Sequence, residues 1–410
     1  MDHLLSAAID TNIHIDVGSF LVIVGTGAVA GTIAALAAGR GWLVPSVVLE
    51  LIFGILVGPQ VLGIGHVNDF TDFFADLGLG MLFYFAGYEI DLRRIAGQPL
   101  RLATFGWAIS LLLAYTLGGI LAAAGVVISL LYTGTALATT AIGTLIPILS
   151  DSGELETRFG TYLLAAGAIG EFGPILLLTL ILTTESAVRN AVILVGFIAL
   201  AVVVAVAAVR SAGRTLPVFE KTLEQSSQPA VRWIVVLVFT LALLAANLGL
   251  DLLLGGFAAG LITREVLRDR EVGAFDSKLT AVGFGFFIPF FFVFSGMNLA
   301  ISALFTSPSG VAKLFIFLAL FLVVRGVPAL LLYRGALVAR DRAALAFFTS
   351  AQLPLVLAIT TVAVADGHMR ASTAAALVGA AVLSTLIYPI MGLRLRGHGP
   401  EREPRPEPAA

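Results

Sequence analysis

Apolar residues run along this chain in long uninterrupted blocks, and polar residues gather in short clusters between them. A helix crosses a bilayer with roughly 20 apolar residues. The blocks are continuous rather than alternating, which argues against a membrane β-barrel. About thirteen segments can be drawn, at approximately 20–39, 42–63, 71–90, 100–124, 126–149, 158–184, 188–209, 231–249, 251–264, 280–300, 311–333, 342–366 and 371–393. The pattern therefore predicts an all-α polytopic membrane protein of about thirteen transmembrane helices.

Two segments carry a polar break. Segment 126–149 holds Thr133, Gly134, Thr135, Thr139 and Thr140 ahead of Pro147, and segment 342–366 holds Thr349, Ser350, Gln352 and Pro354. Proline lacks an N–H and disfavours helical geometry in the residue before it, so the second helix is expected to break near Gln352. Irregular backbone at membrane depth must be buried in protein or line a cavity. An internal echo accompanies the breaks: FYFAGYEIDL closes the third segment and FVFSGMNLAI the tenth. Partners seven segments apart would have opposite topology. The expected organisation is thus an inverted repeat, residues 20–184 and 231–393, joined by a linker helix at 188–209, with two crossing discontinuous helices. That plan is a pointer to a transporter with its site at the midplane.

Composition agrees with the hydropathy pattern. The chain is 59% hydrophobic and 12% charged, against roughly 25% charged residues in soluble domains. The net charge of −2 comes without a basic domain, so nucleic acid is not expected as a partner. No cysteine is present, which removes disulfides, thiol chemistry and cysteine metal sites. With the N-terminus outside, 20 of the 24 Lys and Arg residues fall in inner loops or the C-terminal tail, as the positive-inside rule requires. Residues 1–19 read as an extracytoplasmic segment that is not a signal peptide, and 394–410 as a disordered cytoplasmic tail rich in proline and charge.

Against this background two charges stand out. Glu171 sits near the middle of RFGTYLLAAGAIGEFGPILLLTLILTT, and Arg325 sits within FLALFLVVRGVPALLLY. A charge at the bilayer centre costs about 2.5–3.5 kcal/mol on insertion scales, so it is expected to have a partner and a purpose. Glu171 and Arg325 are accordingly expected to interact, as partners in an ion pathway. Crossed half-helices would also face dipole ends toward one another, with Glu171 offsetting the positive ends and Arg325 the negative. Glu50 is a further carboxylate at membrane depth; it either makes a helix-packing hydrogen bond or adds a second proton to the pathway. Gly54/Gly58 and Gly256/Gly260 suit close helix packing.

These motifs together resemble the monovalent cation:proton antiporter superfamily, in the branch of bacterial Na⁺/H⁺ antiporters and glutathione-gated K⁺ efflux antiporters. LVPSVVLELIFGILVGPQVLG, DLGLGMLFYFAGYEIDL, TGTALATTAIGTLIPILSDSGELETRFG, GLDLLLGGFAAGLI and GFFIPFFFVFSGMNL carry the resemblance, over about residues 42 to 390. The resemblance implies exchange of Na⁺ or K⁺ for H⁺ by alternating access, in a homodimer within the cytoplasmic membrane. It places Glu171 at the ion-binding carboxylate and Arg325 where many members carry Lys or Arg. The chain departs from the pattern in having Gly170-Glu171 where members carry Asn-Asp, Asp-Asp or Gln-Asp, and SAQLP where relatives often carry Gly-Glu.

A single carboxylate binds a proton or a stripped cation but not both, so competition couples the two fluxes. One membrane carboxylate facing a permanent cation predicts one-for-one, electroneutral exchange. Oxygens from Thr133, Thr135, Gln352 or unwound backbone would complete the shell of a hard ion. Neither a cofactor nor an enzymatic activity is expected: the chain has no H-E-x-x-H, no G-x-S-x-G and no paired catalytic Asp in facing spans. The rival readings are a ligand-gated K⁺ efflux system and a non-transporting sensor that keeps an antiporter fold.

Overall fold

A computed structural model describes residues 16–40, 44–181, 187–222, 228–250, 252–267, 273–305 and 308–397. The described residues are helical with no strand. Sixteen helices matter below: α1 Val17–Ala38, α2 Ser46–Val57, α3 Asp69–Tyr88, α4 Gln98–Ala123, α5 Leu130–Leu137, α6 Ile142–Asp151, α7 Arg158–Ile181, α8 Ala187–Thr222, α9 Pro229–Asn247, α10 Leu252–Leu267, α11 Gly273–Val282, α12 Ile288–Asn298, α13 Pro308–Leu332, α14 Ala339–Thr349, α15 Pro354–Ala365 and α16 Ala371–Arg396. A π-helical turn, Gly283–Phe287, joins α11 to α12.

Each hydrophobic segment coincides with a helix or with a pair of half-helices. Among the described residues, nine spans are long and apolar enough to cross a membrane by length and composition. The other four segments fall short for visible reasons. Pro45 and the Gly58-Pro59 pair confine α2 to 12 residues. Asp69, Asp72 and Asp76 lower the apolar character of α3, α5 and α6 are two halves of one broken segment, and α10 has 16 residues. At the C-terminus the structure corrects the expected tail: Arg394 to Arg396 continue α16. Residues 398–410 and 1–15, to which the rest of the tail and most of the N-terminal segment were assigned, lie outside the described residues.

The chain divides into two compact units. The first comprises residues 1–88 and 191–302. Here α2 packs on α12 and α3 packs on α10, with α1 beside α2 and α9 beside α10. Both pairs use the same device. A Cβ on Gly54 would come within 2.1 Å of the Val293 carbonyl, and one on Gly260 within 2.0 Å of the Tyr84 carbonyl, so only glycine lets these backbones meet. The Phe-rich run around Pro289 forms an aromatic cluster: Phe290 lies 5.5 Å from both Phe20 and Phe74, centroid to centroid.

The second unit comprises residues 89–190 and 303–410. Its long helices α4, α7, α13 and α16 surround the half-helix pairs α5/α6 and α14/α15. The breaks fall at residues 138–141 and 350–353. The first precedes Pro147, which itself continues α6; the second ends at Pro354, the first residue of α15. Ser350, Gln352 and Thr140 are fully buried, so every polar group freed by the breaks needs a partner inside the protein.

Candidate functional site

The two breaks are tied directly to each other. The Ala141 N–H donates to the Ala351 carbonyl at 2.9 Å, and the Thr140 N–H donates to the Gly170 carbonyl of α7 at 2.9 Å. The Thr140 hydroxyl donates to the Thr349 carbonyl at 2.6 Å, satisfying the end of α14. Gln352 bridges the crossing: its Oε1 accepts from the Thr139 hydroxyl at 2.9 Å, and its Nε2 donates to the Leu137 carbonyl at 3.2 Å. Behind it, the Gln352 N–H donates to Ser384 Oγ at 3.0 Å. The indole N–H of Trp107 donates to the Ala138 carbonyl at 3.1 Å. Helix ends normally leave such groups orphaned. Here side chains from α4 and α16, with the facing half-helices, take them up.

Arg325 is buried on α13 and serves the carbonyl side of the crossing. Its Nε donates to Thr140 Oγ1 at 2.9 Å and, more weakly, to the Thr349 carbonyl at 3.5 Å. Nη2 donates to the Ala166 carbonyl at 3.1 Å, and Nη1 to Ser110 Oγ at 3.3 Å. The guanidinium thus ties α4, α7 and both half-helix pairs together. The expected contact with Glu171 is not formed: no ion pair between the two is present among the described residues. All three guanidinium nitrogens instead donate to hydroxyls and carbonyls of the crossing and its neighbouring helices.

Glu171 lies on the other side of the crossing. It is 3% exposed, and its carboxylate faces the backbone N–H groups of Ile142 and Gly143, the first two residues of α6. A helix N-terminus carries partial positive charge and free N–H groups, so it favours an anion. The second carboxylate oxygen, Oε2, is buried without a hydrogen-bond partner. A buried unpaired oxygen on a carboxylate is costly unless a proton or cation meets it.

A second carboxylate shares this helix end. Glu89 follows α3 directly, its Oε2 is buried and unpartnered, and it interacts electrostatically with Glu171. A Cβ on Gly143 would stand 3.8 Å from that oxygen. Sequence reasoning missed Glu89 because it closes an apolar segment, where charges ordinarily mark the edge of the membrane. The signal was its place in the echo FYFAGYEIDL, opposite Asn298 of the partner motif.

The other expected ligands are placed differently. Thr135 Oγ1 lies 3.1 Å from the Tyr115 hydroxyl, and Thr133 Oγ1 is buried with no partner. Neither is hydrogen-bonded to Glu171 among the described residues. Gln352 spends both ends of its amide on the crossing. Glu50 lies in the first unit on α2, with Ser46 one turn back serving its carboxylate and Oε2 left unpartnered.

The chain is similar to known proteins over most of its length. It is 29% identical over 267 residues to a protein of Methanocaldococcus jannaschii named probable Na(+)/H(+) antiporter 3, covering 64% of this chain and 67% of that one. It is 25% identical over 265 residues to the Na(+)/H(+)-K(+) antiporter GerN of Bacillus cereus, covering 62% and 65%. The matched stretches thus span about two thirds of those relatives. In fold it resembles the sodium proton antiporter MjNhaP1 from M. jannaschii, with a TM-score of 0.61 at 15% identity, over 92% of this chain and 100% of that one. The family described as sodium/hydrogen exchanger, transmembrane, matches residues 17–393, from the first helix to the last, and the chain belongs to it.

Proposed function

We propose that this protein is a secondary active transporter that exchanges a monovalent cation, Na⁺ or K⁺, for H⁺ by alternating access, with Glu171 as the shared carboxylate. The observation that carries the reading is the free Oε2 of Glu171, buried at the N-terminus of half-helix α6. The relatives named as Na⁺/H⁺ and Na⁺/H⁺-K⁺ antiporters support the choice of ions. The protein works in a cell membrane as a homodimer, with thirteen crossings arranged as inverted repeats, the N-terminus outside and the C-terminus cytoplasmic.

A proton on Glu171 is displaced by a cation that meets the same oxygen. Arg325 stays charged throughout, since guanidinium does not deprotonate in proteins, and holds the crossing rather than the ion. Glu89 changes the count of carboxylates from one to two. One-for-one, electroneutral exchange then requires Glu89 to keep a single protonation state through the cycle.

The deciding experiment is proton flux in proteoliposomes on addition of Na⁺, K⁺ or Li⁺, for wild type and Glu171→Gln, with a potential-sensitive dye alongside. Cation-driven dissipation of ΔpH that the variant lacks is the expected result. Flux that ignores all three cations overturns the antiport reading, and a cation-driven potential overturns electroneutrality.

A further inference from the structure

Glu50 lies outside the ion site and still has an unpartnered, buried carboxylate oxygen; the residue is 3% exposed. It lines a cavity of about 480 Å³ in the first unit, between α1, α2 and the π-helical turn that leads into α12. That volume lies in the usual range for small-molecule sites, roughly 300–1,000 Å³. Single π-turns recur at functional sites because they re-aim side chains. Here the turn brings Phe284, Gly285 and Phe286 to the cavity wall, beside Pro289 and Phe290. On the α1 wall the small residues Gly27, Ala28 and Gly31 leave room between Ile23 and Val24 at one end and Thr32 and Ala35 at the other.

The chemistry of the wall selects the ligand. Glu50, Ser46 and Thr32 are the oxygen-bearing side chains of the lining, and Thr32 already donates its hydroxyl to the Ala28 carbonyl at 2.8 Å. Hard cations gather about six or more oxygens, which this wall does not supply. Aromatic faces around one carboxylate suit an ammonium carried on an apolar body, through charge pairing with Glu50 and cation–π contact with the rings.

We infer that the cavity lined by Glu50, Ser46, Phe284, Phe286 and Phe290 is a binding site for a small amphipathic primary amine in its cationic form. The ammonium meets the free oxygen of Glu50, and the apolar body lies along the phenylalanines. The site is independent of the transport reading, because its residues all lie in the first unit, whereas Glu171 and Arg325 belong to the second.

The test is calorimetric titration of the purified full-length protein with benzylammonium, and with benzyl alcohol as the uncharged isostere, backed by thermal-shift measurements. Wild type is expected to bind benzylammonium at least about tenfold more tightly than the alcohol. Glu50→Gln abolishes that preference, and Glu171→Gln keeps it. Gly31 lines the cavity and a Cβ there would touch nothing within 4 Å, so Gly31→Leu is expected to block both probes while unfolding at the wild-type temperature or above. Equal affinity for amine and alcohol, or unchanged amine binding in Glu50→Gln or in Gly31→Leu, overturns the assignment. Loss of amine binding in Glu171→Gln alone moves the probe to the ion site and overturns it too. Repeating the titration in phosphatidylcholine nanodiscs, with and without phosphatidylethanolamine, separates a free amine from a lipid ammonium. Unchanged affinity supports the free amine, and competition by the lipid overturns that source.

Discussion

The guanidinium of Arg325 occupies the space that a side chain at Gly170 would fill. A Cβ there would stand 2.5 Å from Nη2 and 2.8 Å from Thr140 Oγ1. Glycine at 170 leaves room for the cation of α13 to reach across to the Ala166 carbonyl. Gly170→Ala is expected to cost about 1–3 kcal/mol, the usual price of overpacking a filled core. A lysine at 325 has no fork to clash, so Gly170→Ala/Arg325→Lys should be destabilised by less than the sum of the single changes. Coupling beyond about 0.5 kcal/mol in thermal unfolding checks the contact.

Glu89 and Glu171 face one helix end, and a cation held there feels both. In Glu89→Gln the apparent KM for the transported cation is expected to rise about tenfold, the equivalent of roughly 1.4 kcal/mol. Maximal flux should be retained, in contrast to Glu171→Gln, which loses it. An unchanged KM would show that Glu89 takes no part in holding the ion.

Gln352 is expected to act on stability before it acts on ion selectivity. Replacing it by Leu leaves the buried Leu137 carbonyl without a donor, whereas the Thr139 hydroxyl keeps the Ala136 carbonyl at 3.0 Å as its acceptor. An unmet buried group costs about 1–3 kcal/mol. Thermal unfolding should fall accordingly, while the Na⁺ to K⁺ preference of whatever flux remains should not change. A changed preference with normal stability would return Gln352 to the ion's shell.

Arg396 anchors the end of α16. It pairs with Glu154 through two bonds of 3.0 and 2.8 Å, reaches Asp341 at 2.6 Å, and lies over the Phe159 ring at 4.6 Å. Glu154 is buried, so removing its partner leaves an uncompensated charge, and Arg396→Ala is expected to cost about 3–5 kcal/mol. Denaturation in detergent measures it.

The helical segments were legible from sequence because membrane insertion is governed by local hydropathy, and most boundaries moved by only a few residues. The breaks were legible too: Pro354 acts on its own neighbours, and the threonines near 139 and 140 mark the polar stretch that needs partners. Glu171 announced itself as a carboxylate within an apolar run. What sequence alone could not decide was where each polar group would find its partner. Thr140 meets Arg325 at a separation of 185 residues, Thr139 meets Gln352 at 213, and Arg396 meets Glu154 at 242. For the same reason Glu171 and Arg325, expected to interact, form no ion pair among the described residues, although each faces the kind of dipole end expected of it. Glu89, at the edge of an apolar segment, becomes a site residue only because the fold brings the start of α6 to it. Hydropathy is summed along the chain, whereas hydrogen-bond satisfaction in a buried crossing is settled only when distant helices meet.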